Sequence, residues 1–141
     1  VGAGSVLRSG IRKLLVDVVR EGMCHSDALR VYIGNIMTQD GETEGMTLSD
    51  HVSALLDHSA PNLVDLCLAN CSPVADDVLE RYREEGAEPI LVDRKKTEAL
   101  GVEVVERPML STGTQYARHS SDRLSQVVME LYEERAETKV F

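Results

Sequence analysis

The chain has 141 residues, 43% hydrophobic and 28% charged, which is the make-up of one water-soluble domain with a real core. Its formal net charge of −9 argues against a nucleic-acid partner, because phosphate neutralisation drives that binding, but leaves room for one small anionic ligand at a local cluster. No apolar run approaches the ~18 residues of a membrane span, and no charged start followed by an apolar stretch marks a signal peptide.

The first segment, Gly2-Ala3-Gly4-Ser5, is a small-residue loop. Val6, Ile11, Leu14, Leu15, Val18 and Val19 then recur at helical spacing, with Glu21-Gly22 as the expected stop. Free N–H groups at such a loop-to-helix junction form a natural anion site, with Gly4 and Ser5 as the contact residues. Arg8, Arg12 and Lys13 follow and would add positive charge. A plain tight turn fits the same spacing.

Val31-Tyr32-Ile33 reads as a short strand, and the segment 34–46 after it as a glycine-bearing loop. Asn35, Thr38, Gln39 and Thr43 crowd into that loop. It lies where an α/β sheet reads its ligands, and Asn and Gln suit neutral polar edges such as a base or sugar hydroxyls, though an ordinary polar loop fits the same composition. Thr47 and Asp50 have capping-box spacing ahead of an apolar helix face of Val52, Leu55 and Leu56. Asp50 and His51 are helix neighbours that do not face each other, so they make a poor catalytic pair. His51 and His58 are expected at the surface or the edge of the core. The run 62–69 is short and apolar enough for a buried strand.

Ser72-Pro73 has the look of an N-cap with proline at the first helical position. Val74, Val78, Leu79 and Tyr82 would share one face of that helix, with Gly86 just past its end. Pro89–Val92 is expected as another strand, 94–100 as a short helix closed by Gly101, and Val102–Val105 as the last strand. A loop follows over 107–118. Ser120 or Ser121 then caps a terminal helix carrying Leu124, Val127, Val128 and Leu131, with 133–141 as a frayed tail. Arg118 at that junction has the planar fork that clamps a diphosphate, though a surface arginine would look the same.

Strands alternating with helices predict an α/β, Rossmann-like, mainly parallel sheet with helices on both faces. The chain opens on Val1 inside what reads as a loop, so it is expected to begin in the middle of a domain. Cys24, Cys67 and Cys71 are odd in number and fit neither a disulfide framework nor a common zinc site, which predicts reduced thiols in the cytoplasm. No nucleophile or metal motif stands out, so no catalytic residue and no metal ligand is assigned.

The run Val31-Tyr32-Ile33-Gly34-Asn35-Ile36-Met37-Thr38-Gln39, then Gly41-Glu42-Thr43 and Ser49-Asp50-His51-Val52, resembles the signature of the bacterial gluconeogenesis factors, within the superfamily of 2-phospho-L-lactate transferase. The likeness continues in Leu79-Glu80-Arg81-Tyr82, Glu85-Gly86-Ala87 and Arg118-His119. It implies a Rossmann-like fold of which residues 1–141 are the C-terminal part, and a cytoplasmic protein tied to cell shape and wall synthesis during gluconeogenic growth. It also implies a nucleotide-sugar ligand of the UDP-N-acetylglucosamine type, met by Tyr82 and Arg118. Gly34, Ala3 and Asp40 depart from the usual Cys, Pro and Pro of that family. The alternatives are a transferase acting on a nucleotide-diphosphate-linked donor with Mg²⁺ as cofactor, and an interaction domain that forms a homo-oligomer or binds a partner.

Overall fold

The computed structural model describes residues 11 and 15–138 of the chain. Among them the elements run α1 (Asp17–Cys24), β1 (Val31–Ile33), α2 (Leu48–Asp57), β2 (Leu66–Asn70), α3 (Asp76–Glu84), α4 (Arg94–Glu98), β3 (Glu103–Arg107) and α5 (Ser121–Thr138). The three strands form one parallel sheet in the order β1-β2-β3. Val31 aligns with Leu66, and Leu66 with Glu103. The expected Rossmann-like α/β architecture is therefore present.

The period of two in the central strand sorts the core into two layers. Leu66 and Leu68 point to one face, where they pack with Met109 and with Val127 and Leu131 of α5. Cys67 and Ala69 point to the other, against Leu48 and Val52 of α2 and against Ile90, Val102 and Val104. Both faces are covered, which is why β2 reads as an unbroken apolar run. Burial pushes the Cys67 thiol up to about 12, so it stays protonated. Among the described residues no helix is long and apolar enough to cross a membrane.

At the amino ends of the strands, Arg30 and Asp65 form a two-pronged ion pair, with Nε–Oδ2 at 3.0 Å and Nη2–Oδ1 at 2.7 Å. The backbone N–H of Arg30 also donates to Asp65 Oδ2 at 2.8 Å. These bonds hold the Asp65 carboxyl below its ordinary range, outweighing the burial that pushes it up.

The N-terminus of α2 is fully satisfied. The N–H of Leu48 donates to Leu91 O at 3.0 Å. That of Ser49 donates to Asp93 Oδ1 at 2.9 Å. That of Asp50 reaches Thr47 Oγ1 at 3.4 Å, and Thr47 N–H returns to Asp50 Oδ2 at 2.8 Å. The capping box expected from Thr47 and Asp50 is thus formed. Ser49 Oγ also donates to Asp93 Oδ2 at 2.5 Å. Burial alone would push the Asp93 carboxyl up, but the bonds from Ser49 and Thr47 win and hold it low.

Gly86 ends α3 as expected. Its φ is +73°, a region that costs glycine little. Ala87 N–H bonds back to Tyr82 O at 2.8 Å and Gly86 N–H to Arg83 O at 3.1 Å, the two bonds of a Schellman cap.

Several expectations are corrected. Helix α1 runs through Gly22 to Cys24, and the His25 N–H and ring both meet Glu21 O; Gly22 stays αR because nothing turns the chain there. Leu15 and Val18 of the expected inward face are 57% and 79% exposed. The helix expected at Ser72-Pro73 starts at Asp76, with Ala75 as N-cap. Pro89–Val92 joins no strand of the sheet; it touches Met37 in an isolated antiparallel bridge. Helix α5 runs on through Thr138, and an ion pair joins its Arg135 to Glu103 of β3. His51, expected at the edge of the core or the surface, is fully buried, with Nδ1 at 3.3 Å from the Tyr32 hydroxyl; that burial lowers its pKa.

Replacing Asp93 by Ala leaves the Ser49 N–H and hydroxyl without their acceptor, and is expected to cost about 2 kcal/mol in urea unfolding. Asp65 and Asp93 both have folded pKa values below their unfolded ones. The stability they contribute is complete above the unfolded value of about 4 and is lost as pH falls through the folded values. Urea titrations from neutral to acid pH should show this loss, and a shallower one in Asp65→Asn and Asp93→Asn.

Candidate functional site

The site is built at the carboxyl ends of the strands, where an open α/β sheet binds ligands. Gly34 N–H extends the β1 ladder by one bond, to Leu68 O at 2.9 Å. A Cβ there would come within 2.9 Å of Leu48 Cδ1, so glycine lets the chain leave the sheet directly over the core. The following loop is then zipped to residues 88–90. Thr38 N–H donates to Glu88 O at 2.7 Å, Glu88 N–H to Thr38 Oγ1 at 2.9 Å, and Ile90 N–H to Ile36 O at 3.0 Å. Farther along, Thr43 Oγ1 accepts from Gln39 N–H at 2.9 Å.

The loop between β3 and α5 forms the opposite wall. Ser111 N–H bonds Arg118 O at 2.8 Å, Ser120 N–H bonds Met109 O at 2.7 Å, and Leu110 bridges His119. The loop therefore doubles back and delivers Arg118 and His119 just ahead of α5. Met109 N–H donates to Asn70 Oδ1 at 2.9 Å, which ties this loop to the end of β2. Arg81 of α3 reaches Gln115 O at 2.5 Å and closes the third side.

Between these walls lies a cleft of about 660 Å³. Asn35, Thr38, Tyr82 and Arg118, all singled out in the sequence, line it together with His119 and Ser121. Gly4 and Ser5 lie outside the described residues. The four gathered residues differ in what they can do. Thr38 is buried and its oxygen already accepts from Glu88, so its main work is to hold the loop. Asn35 is half-buried and its side-chain amide has no partner among the described residues, which leaves both donor and acceptor for a ligand. Arg118 is exposed and has no carboxylate partner among the described residues.

Tyr116 links the other two. Its ring meets Tyr82 edge-to-face, with centroids 6.3 Å apart and planes at 84°. The Arg118 guanidinium carbon lies 5.5 Å from the same ring centroid. Both contacts are favourable, one between ring edge and ring face and one between cation and ring face. Sequence reasoning passed over Tyr116 as part of a plain loop; an aromatic residue two positions before the singled-out arginine was the available signal. The Nε2 of His119 is buried without a hydrogen-bond partner, and burial lowers the pKa of that ring. His119 is thus neutral at neutral pH, and Arg118 is the residue that brings formal positive charge to the described lining of the cleft.

Comparison with known proteins places the chain. Residues 1–110 match the family model described as 2-phospho-L-lactate transferase CofD. The gluconeogenesis factor of Halalkalibacterium halodurans is 38% identical over 130 residues, which cover 92% of this chain and 40% of that protein. The gluconeogenesis factor of Bacillus subtilis is 32% identical over 134 residues, covering 95% and 42%. The crystal structure of a UPF0052 family member from Bacillus halodurans superposes with a TM-score of 0.86 at 38% identity, over 91% of this chain and 41% of that one. The chain spans about two fifths of the length of the relatives it matches. It belongs to the 2-phospho-L-lactate transferase CofD family and is a relative of the bacterial gluconeogenesis factors.

Proposed function

We propose that this chain supplies one wall of a nucleotide-sugar site, of the UDP-N-acetylglucosamine type, in a cytoplasmic regulatory protein acting on cell shape and wall synthesis during gluconeogenic growth. The observation that carries this reading is the meeting of Tyr82, Arg118 and Asn35 in the lining of one cleft, with the Tyr116 ring against the first two. Arg118, with no acid to neutralise it, offers two parallel N–H groups to a diphosphate. Tyr82 presents a ring and a hydroxyl to the base or sugar. Tyr116 positions both, since each leans on its ring. Asn35 reads a neutral polar group with its free amide. The gluconeogenic setting is supported by the names of the relatives.

A second reading comes from the description of the matched family. It is transfer of a phospholactyl-type group from a nucleotide diphosphate carrier to an alcohol, with Mg²⁺ screening the diphosphate. Among the described residues no three His, Cys, Asp or Glu side chains gather as metal ligands. Turnover of a nucleotide donor in the presence of Mg²⁺ would favour this reading over pure binding.

Calorimetry with UDP-N-acetylglucosamine on the intact protein tests the first. Arg118→Ala should weaken binding by about 2 kcal/mol, the worth of a charge-assisted contact, and Arg118→Lys should recover only part because the fork is lost. Tyr82→Ala should weaken it by about 1 kcal/mol. Unchanged affinity in both alanine variants would sink the reading. Tyr116→Ala should weaken binding less than Arg118→Ala, and the two together should cost less than their sum, because Tyr116 acts through Arg118.

A further inference from the structure

Beside the cleft, across Asn35 and Ile36, lies a second hollow of about 440 Å³. Asn35 and Ile36 line both spaces, so the two adjoin there. The character of the second space is different. Leu48 and Ala69 line it from the core, at 1% and 3% exposure, and Val74 and Ile90 add apolar surface. Its polar lining is sparse: Asn35, Asn70, Ser72 and the exposed acid Asp76.

The hollow exists because the helix starts late. The Asn70 side chain captures Ser72, accepting from its N–H at 3.3 Å and donating to its carbonyl at 2.9 Å. The chain stays extended through Ala75, at φ −63° and ψ 145°, before α3 begins. Val74 is thereby held outside the helix, at the wall of the hollow. Asn70 also accepts from Met109 N–H, so its amide is committed to the fold. Asn35 is the amide left to meet a ligand.

An apolar space with one free amide and no cation suits an uncharged group. Asp76 repels a second anion. We propose that this hollow takes the uncharged end of the same ligand whose charged end meets Arg118. That end is an acylamino group, its alkyl part against Leu48 and Val74 and its amide bonded to Asn35. This rests on the nucleotide-sugar reading above and adds to it a basis for selecting N-acylated sugars over plain ones.

The test is calorimetry on the intact protein with UDP, UDP-glucose and UDP-N-acetylglucosamine. Burying one small apolar group in a fitted pocket is worth about tenfold, so the N-acetyl sugar nucleotide should bind about tenfold more tightly than UDP-glucose. Val74→Phe fills the hollow from a loop position. It should erase that preference and leave UDP affinity unchanged, which also reports that the variant is folded. Val74→Leu, a smaller change, should reduce the preference in part. A wild-type protein that binds UDP but does not prefer the N-acetyl sugar overturns the proposal, as does a preference that survives in both variants. A wild-type protein that binds none of the three overturns the nucleotide-sugar reading itself, and the hollow falls with it.

Discussion

The carboxylate of Asp93 at the N-terminus of α2 is the contact on which the ligand-facing end of the molecule depends. It fixes one end of a short extended segment, 88–93, whose backbone serves two masters. Glu88 and Ile90 bond the loop residues Thr38 and Ile36. Leu91 and Asp93 bond Leu48 and Ser49 at the start of α2. The loop that leaves β1 is thus held at both ends by one strip of chain. A loop of this length, with Gly41 and Gly45 at positive φ, carries large conformational entropy when free. Fixing it to a single strip is what allows Asn35 to stand at a defined place between two cavities.

The two ends of the sheet are stabilised in different ways. At the amino ends Arg30 and Asp65 form a charged clamp with Asp65 about one-third exposed, so solvent screens part of its strength. At the carboxyl ends the tie is Asn70, a neutral amide joining β2, the segment before α3 and the loop before α5. A charged residue at that position would set its own field beside the cleft. The neutral hub organises three loops and leaves the electrostatics of the cleft to Arg118.

Much of this was legible in the sequence wherever the signal is local. The Thr47–Asp50 box, Gly86 past α3 and Gly101 past α4 each act through bonds within a few residues, and each forms as read. Tyr82 and Arg118, singled out by the family resemblance, both line one cleft. The failures share a different cause, which is competition from a distant group. Ser72 is a good N-cap by itself, but Asn70 holds it first. Pro89–Val92 reads as a strand by itself, yet its partners are loop residues some fifty positions earlier in the chain, where no local pattern points. Tyr116 gains its meaning only once α3 brings Tyr82 beside it.

The charge balance gives the site its physical character. The whole chain carries a net charge of −9, so the proposed anionic ligand would approach against the mean field. Affinity must then come from short-range contacts in the cleft, where a guanidinium can meet oxygen at bonding distance. That requirement explains why the arginine needs support. An exposed arginine loses considerable side-chain entropy when it is fixed on a ligand. Resting its guanidinium over the Tyr116 ring, itself braced by Tyr82, removes part of that loss before any ligand arrives. The aromatic pair is therefore best understood as pre-organisation of a single positive charge inside an acidic protein.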